Sequence, residues 1–406
     1  MKNNIIDELS WRGLIYQKTP GIEKVFERKT TCYLGIDLTA DSLHIGTLIG
    51  LLTLKRIYNF GHKIILLLGG GTTLIGDPSG KESERPILPK EIIESNKGKI
   101  KKQLEKFFVF DNRNAILLDN LHWLKNLSLI EFLRDVGKFI TLNSMLDLEF
   151  IKTRMKTEEG ISYAEFTYQL LQAYDFLVLF QKYNCEVQVG GSDQLGNIVQ
   201  GIELIRKKLN KKAYGLTYPL LIDPKTGKKF GKTEKGTLWL DPQKTSPFEF
   251  YQFIFNLSDE IAPICFRYFS FKNKGEIEEI EKEWQKNKEK RILQKALGEE
   301  LLEIIYGKEE KENVLRLVKI LFETDLPKLN LDDIKFLKKF LPYKKDKFNL
   351  EKNLVDLGLA NSKSEAQRLI QQKGIRFYFL LNKYYLIKKG KNQFALLEIN
   401  EGEEEV

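Results

Sequence analysis

Apolar positions along the chain follow two patterns that alternate with one another. Continuous short runs come first: Cys32, Tyr33, Leu34 and Ile36, then KIILLL over Lys63–Leu68, then 115–118. Runs of this kind are buried on both faces, as in a parallel sheet. Between them lie segments with a helical period. Ile45, Leu48, Leu51, Leu52, Leu54 and Ile57 share one stripe that ends near Gly61, with Asp41 or Ser42 placed to cap it. Further helices are expected over 89–108, 128–136, Tyr163–Tyr183 and 194–209, with strands over 186–193 and 216–222. The alternation predicts an open parallel α/β sheet whose ligand lies beyond the carboxyl ends of the strands, at a switch point.

Past Pro247 the pattern turns helical. Acidic and basic residues alternate over 276–297 around Ile277, Ile280, Trp284 and Ile292, and apolar stretches follow at 301–306 and 314–322. Segment 327–347 gathers Lys335, Lys338, Lys339, Lys344, Lys345 and Lys347 around Pro342 and reads as a basic connector. A compact αβ unit is expected beyond it: Ser362 caps a helix carrying Lys363 and Arg368, and strands follow at 375–380, 384–387 and 394–397. The expected organisation is a nucleotide-binding domain over 1–222, a mobile loop and connector over 223–246, a helical domain over 247–326, the basic linker 327–347, the αβ unit 348–400 and an acidic tail 401–406.

Composition narrows the class. At 406 residues, 42% hydrophobic and 30% charged, the chain can bury full cores in two or three domains. No stretch is apolar enough to span a membrane and no signal peptide opens it, so a cytoplasmic location is expected. Cys32, Cys185 and Cys265 are scattered and odd in number, and only His44, His62 and His122 are present. Neither a disulfide framework nor a protein-held metal is expected. A net charge of +9 permits a nucleic-acid partner without requiring one.

Candidate chemistry collects at the strand ends. A helix that begins at His44, after a strand, offers free N–H groups and positive dipole to phosphate, with His44 and Thr47 able to add hydrogen bonds and Gly46 letting a ligand approach. The loop GGGTTLIGDPSGKESER looks superficially like a Walker-type P-loop, but Gly76 and Gly80 are separated by three residues and Glu82 stands where Ser or Thr is needed. Its glycines are read as bringing backbone close to a ligand, with Asp77 beside it and Lys81 and Arg85 following. Tyr168, Gln172 and Asp175 share one face of a helix that is apolar nearly all round, and a buried Asp needs a partner. In EVQVGGSD, Gln188 precedes a Gly190-Gly191 turn and Asp193, an acid placed to hold a ribose. Lys228, Lys229 and Lys232 lie on a glycine-rich turn with reach enough for a triphosphate.

Taken together, these segments resemble the class I aminoacyl-tRNA synthetases of the bacterial tyrosyl type. His44-Ile45-Gly46-Thr47 is similar to the HIGH signature and Lys229-Phe230-Gly231-Lys232-Thr233 to the KMSKS signature. DLTADSLHIG, LIGDPSGK, YQLLQAYD and QVGGSDQ occur in the family's order, and LVDLGLANSKSEAQRLI resembles an RNA-binding domain shared with a ribosomal small-subunit protein. The resemblance implies that Tyr33 and Asp175 bond a phenolic hydroxyl, that Asp77, Tyr168 and Gln172 hold an ammonium group, and that Asp37 and Gln188 complete the amino-acid site. It implies that Thr39, His44, Gly46, Thr47, Gly191, Asp193, Gln194, Lys229 and Lys232 surround ATP. His44, Thr47, Lys81, Arg85, Lys229, Lys232 and Thr233 would act on the pyrophosphate, with Mg²⁺. Partners so implied are L-tyrosine, ATP and tRNA(Tyr), with a homodimer as the assembly; tryptophan activation and a non-catalytic RNA-binding paralogue are the rivals. Four features depart from the pattern: Thr47 for a second His, Leu38 for a proline expected to tighten the turn after Asp37, Leu195 for a tryptophan, and Lys373 with RFYFLLN in the terminal unit.

Overall fold

The computed structural model describes residues 4–79, 86–157, 160–222, 227, 230–233, 236–324, 326–381, 383–390 and 393–400. Two compact units result, one made of Met1–Ser246 with Ile254–Ile305, the other of Pro247–Phe253 with Tyr306–Val406. The boundary drawn from sequence at 247–326 is therefore cut differently, with most of the helical segment joining the first unit.

The first unit is built on strands β1 (Gln17–Lys18), β2 (Thr31–Ile36), β3 (Lys63–Leu68), β4 (Ala115–Asp119), β5 (Cys185–Gly191) and β6 (Tyr214–Tyr218), ordered β1-β6-β5-β2-β3-β4. All neighbours pair in parallel except the short edge strand β1. The chain leaves β2 toward β3 on one side and returns to β5 on the other, so the order reverses between β2 and β5. That is where an open α/β sheet leaves a crevice. Apolar residues fill both faces, as continuous runs require: β3 is buried from Ile64 to Leu68. On the face of Tyr33, Ile65 and Leu67 the core continues into Leu170, Ala173, Phe176 and Leu177 of the helix Tyr163–Tyr183, which sets that helix across the crevice. Cys32 and Cys185 are buried free thiols, as is Cys265.

Several elements differ from the sequence reading. The last strand runs Tyr214–Tyr218, not 216–222, because it pairs with Val187–Gly191 and its partner ends there. The helix expected over 276–297 breaks after Lys286, passes Arg291 in the left-handed region (φ 51°), and restarts as Ile292–Tyr306. Arg291 makes the turn useful by donating to the carbonyls of Phe255 at 2.8 Å and Leu257 at 2.7 Å.

The second unit corrects the basic connector. Segment 327–347 is structured: Leu331–Phe340 is a helix that buries Ile334, Phe336 and Leu337, and Tyr343–Asp346 is a strand. With the ribbon Lys232–Thr233 and Gly236–Thr237 of the first unit numbered β7 and β8, this strand is β9; β10 (Ile375–Phe379), β11 (Tyr384–Lys389) and β12 (Gln393–Ile399) complete a sheet ordered β10-β11-β12-β9. Lysine density concealed a strand whose alternate residues face Glu398, which takes Lys338 at 2.7 Å and the Tyr343 hydroxyl at 2.5 Å. The expected helix is Lys363–Gln371, capped by Ser362, whose Oγ accepts from Glu365 N–H. The acidic tail 401–406 lies outside the described residues. Among them no helix is long and apolar enough to cross a membrane.

Candidate functional site

A cavity of about 420 Å³ opens at the carboxyl ends of β2 and β5. It is lined by every residue expected against the amino acid: Tyr33, Asp37, Asp77, Tyr168, Gln172, Asp175 and Gln188. Thr39, His44, Gly46, Thr47, Gly191, Asp193 and Gln194, expected against ATP, line it too. Lys81, Arg85, Lys228 and Lys229 lie outside the described residues, and Lys232 and Thr233 are described in backbone only, as β7. Of the other histidines, His62 is buried against the edge of Phe26 and His122 is exposed.

Asp175 is 2% exposed and answers the buried-acid problem with two donors that sequence reasoning missed. Trp123 Nε1–H donates to Oδ1 at 2.7 Å and Asn120 Nδ2–H to Oδ2 at 2.9 Å. Burial nevertheless pushes its carboxyl up to about 7. The missed signal was Asn120-Leu121-His122-Trp123, which begins immediately after β4 and so at the same level as the ends of β2 and β5. Tyr33 is 1% exposed, and among the described residues its hydroxyl has no hydrogen-bond partner. Its pKa is driven well up by burial, with the charge of Asp175 adding to the shift. A buried, unsatisfied hydroxyl beside a buried carboxyl suits contact with a polar group.

Beside this floor runs a chain of amides. Gln194 Nε2–H donates to Asp77 at 2.8 Å, Gln172 Nε2–H donates to Gln194 Oε1 at 3.2 Å, and Asn197 Nδ2–H donates to Gln172 Oε1 at 3.1 Å. Gln194, expected on the nucleotide, is thus tied to Asp77 and Gln172, both expected on the amino acid. Burial raises the pKa of Asp77, opposed by donors from Ser79 and Gln194. Gln188 Oε1 is buried and has no partner among the described residues. The wall is kept narrow by glycine: a Cβ on Gly190 would come within 3.0 Å of Gln194 Cβ and 3.1 Å of Ile198 Cδ1.

The opposite rim is the start of helix Ile45–Asn59. Its cap is His44, neither Asp41 nor Ser42: Nδ1 accepts from Gly46 N–H at 3.0 Å. Asp41 is taken by Lys99 and Lys244, and Ser42 by Leu43 and Gln103. A neutral ring accepting at Nδ1 carries its proton on Nε2. Thr47 completes a capping box, its Oγ1 accepting from His44 N–H at 3.2 Å and donating to the His44 carbonyl at 2.7 Å. Threonine at the place of the second signature histidine therefore ties down the backbone of the first, while Gly46 N–H holds its ring. Leu38 likewise corrects an expectation. It does not loosen its turn, because its N–H, which proline would lack, donates to Thr73 Oγ1 and Asp37 Oδ1 at 3.1 Å each.

The ribbon β7–β8 returns to this helix start. Ile45 N–H donates to Leu238 O at 3.1 Å, and Trp239 bridges His44 with its ring edge-on at 6.1 Å. Gly231 is held at φ +84°, and a Cβ there would sit 2.2 Å from Ile45 Cγ2, so glycine alone lets ribbon and helix meet.

A parallel sheet of this order, with a polar cavity at its switch point and a capped helix start on its rim, defines a nucleotide-binding α/β enzyme. The family model for tRNA synthetases class I (W and Y) matches residues 24–323, and the chain belongs to that family. It is 46% identical to the tyrosine–tRNA ligase of Roseiflexus castenholzii over 91% of this chain and 90% of that protein, and 42% identical to the tyrosine–tRNA ligase of Staphylococcus saprophyticus over 98% and 99%. Among solved structures, a C-terminally truncated mitochondrial tyrosyl-tRNA synthetase from Aspergillus nidulans superposes with a TM-score of 0.72 at 32% identity, covering 79% of this chain and 95% of that one.

Proposed function

We propose that the chain is a tyrosine–tRNA ligase, joining L-tyrosine and ATP to tyrosyl-adenylate with release of pyrophosphate, then passing tyrosine to the 3′-terminal adenosine of tRNA(Tyr). The observation that carries this reading is the floor of the cavity, where the unsatisfied hydroxyl of Tyr33 and the buried carboxyl of Asp175 suit a phenol that both accepts and donates. Asp77, Tyr168 and Gln172 would take the ammonium group and Gln188 the carboxylate side. Asp37 is held by Thr73 Oγ1 at 2.7 Å and closes the site from β2.

The attacking carboxylate is ionised at neutral pH, so adenylate formation needs no general base. It needs in-line placement and charge stabilisation at the leaving pyrophosphate. Thr39, Gly46 and Gly191 line the space for the nucleotide, Asp193 would hold the ribose, and His44 with Lys81, Arg85, Lys229, Lys232 and Thr233 would meet the phosphates. Mg²⁺ would arrive with ATP as part of the substrate. The exposed Lys363 and Arg368 of the second unit suit tRNA backbone. Leu129, Ile130, Leu133, Leu142, Met155 and Tyr163 are exposed within one stretch of chain, which supports a homodimer formed through it. Unpaired, buried cysteines agree with a cytoplasmic location.

The test is amino-acid-dependent exchange of pyrophosphate into ATP. Tyrosine should support exchange, with phenylalanine and tryptophan far behind. A preference for either of the latter sinks the reading.

A further inference from the structure

Phe230 stands in sequence between Lys229 and Lys232, yet the catalytic reading gives it no task. Its ring lies offset-stacked on Phe269, with centroids 6.4 Å apart and planes at 28°. Both rings are buried, and Phe230 also lines the cavity. The backbone around it is pinned at several points. Phe230 N–H donates to Leu221 O at 2.8 Å, and Leu238 N–H donates to Gly231 O at 2.8 Å. The adjoining Gly231 presses on Ile45, as described above.

Phe269 is itself firmly seated. It ends the helix Ala262–Phe269, and the carbonyl of the next residue, Ser270, accepts from two buried guanidinium groups: Arg12 Nη1 at 2.7 Å and Arg56 Nη2 at 2.5 Å. Ser270 Oγ–H donates to Glu300 at 2.6 Å. Arg56 lies near the far end of the helix that His44 caps. The contacts thus close a circuit: the first turn of Ile45–Asn59 touches the ribbon, its last turn holds Ser270, and Phe269 beside Ser270 carries Phe230.

We propose that Phe230 is a positioning residue for adenylate formation and that Phe269, fixed through Ser270 by Arg12 and Arg56, is its seat. Cations stabilise a leaving pyrophosphate only where they are held, and a displacement on the order of 1 Å can cost about a hundredfold in rate. Lys229 and Lys232 flank Phe230 within four positions of sequence, so an aromatic anchor at Phe230 limits how far either can stray. The inference rests on the cavity being the ATP-dependent activation site.

The experiment compares wild type, Phe230→Ala, Phe230→Tyr and Phe269→Leu as full chains, measuring tyrosine-dependent pyrophosphate exchange and equilibrium tyrosine binding. Phe230→Ala should lower the exchange kcat by about a hundredfold and raise KM for ATP, while the Kd for tyrosine stays within about twofold. Phe230→Tyr, which keeps the stack, should restore most of the rate. Phe269→Leu, a milder change, should reproduce the pattern of Phe230→Ala more weakly. Wild-type exchange in Phe230→Ala would overturn the inference. So would tyrosine binding lost in step with rate, or Phe230→Tyr as impaired as Phe230→Ala, either of which marks a general packing role. Failure of wild type to exchange with tyrosine would instead remove the activation reading itself.

Discussion

Trp123 donates its indole N–H to Asp175 Oδ1 at 2.7 Å, and that bond places the carboxyl at the floor of the cavity. With Asn120 on the other oxygen, the carboxyl cannot rotate freely, so its remaining lone pairs face one direction. Removing a donor from a buried acid costs about 2 kcal/mol, so Trp123→Phe should raise KM for tyrosine about thirtyfold. KM for ATP should not move. Exchange assays with each substrate varied in turn decide it; equal losses for both substrates would show that the bond serves the fold and not the pocket.

Tyr33→Phe should split stability from affinity. Without ligand the hydroxyl is buried and unsatisfied, so deleting it should leave stability unchanged or raise it by about 1 kcal/mol. Tyrosine binding should nevertheless weaken about tenfold, and selectivity over phenylalanine should fall. Thermal unfolding with and without tyrosine reads both effects, and a Tm that falls sharply without ligand contradicts the account.

Asp175 should make the protein less stable as pH rises through the mildly acidic range. Its folded pKa is pushed up to about 7, whereas an unfolded aspartate titrates near 4. Between about pH 4 and 7 the unfolded chain has given up a proton that the folded chain still holds, so stability falls with rising pH, by about 4 kcal/mol in all, and is flat above. Asp175→Asn lacks this slope. Urea midpoints at pH 5 and pH 8 should differ more for wild type than for the variant; parallel behaviour would refute the assignment.

Thr47 offers a cleaner test of the helix start. Thr47→Val removes both hydrogen bonds from the Thr47 hydroxyl to the His44 backbone and should cost about 1 kcal/mol while raising KM for ATP, because the backbone that carries His44 loses that anchor. Thr47→Ser should behave as wild type. If Thr47→Val exchanges normally, the Thr47 anchor on the His44 backbone does not serve the site.

The exposed apolar stretch is open to a direct test. Ile130 is 71% exposed, and Ile130→Glu should shift sedimentation from dimer to monomer without lowering the folded content. Monomeric wild type at micromolar concentration would refute the dimer.

The amino-acid sequence by itself determined the sheet and most of the polar positions in the cavity. Continuous runs such as KIILLL between helical segments suit a strand buried on both faces of a parallel sheet, and a glycine turn after a buried strand marks the carboxyl end where ligands bind. Tyr168, Gln172 and Asp175 were legible because a 3.6-residue period puts them on one face whatever that face meets. Only the tertiary structure decided what satisfies them. Asn120 and Trp123 reach Asp175 across more than fifty positions of sequence, and no local pattern reports a partner that distant. The cap shows the same division from the other side. Asp41 and Ser42 are good capping residues by type, but Lys99, Lys244 and Gln103, brought in from other elements, occupy them, and His44 takes the cap. Periodicity fixes which way a side chain faces, whereas the partner that meets it depends on how distant segments pack, and that is settled only when the whole core closes.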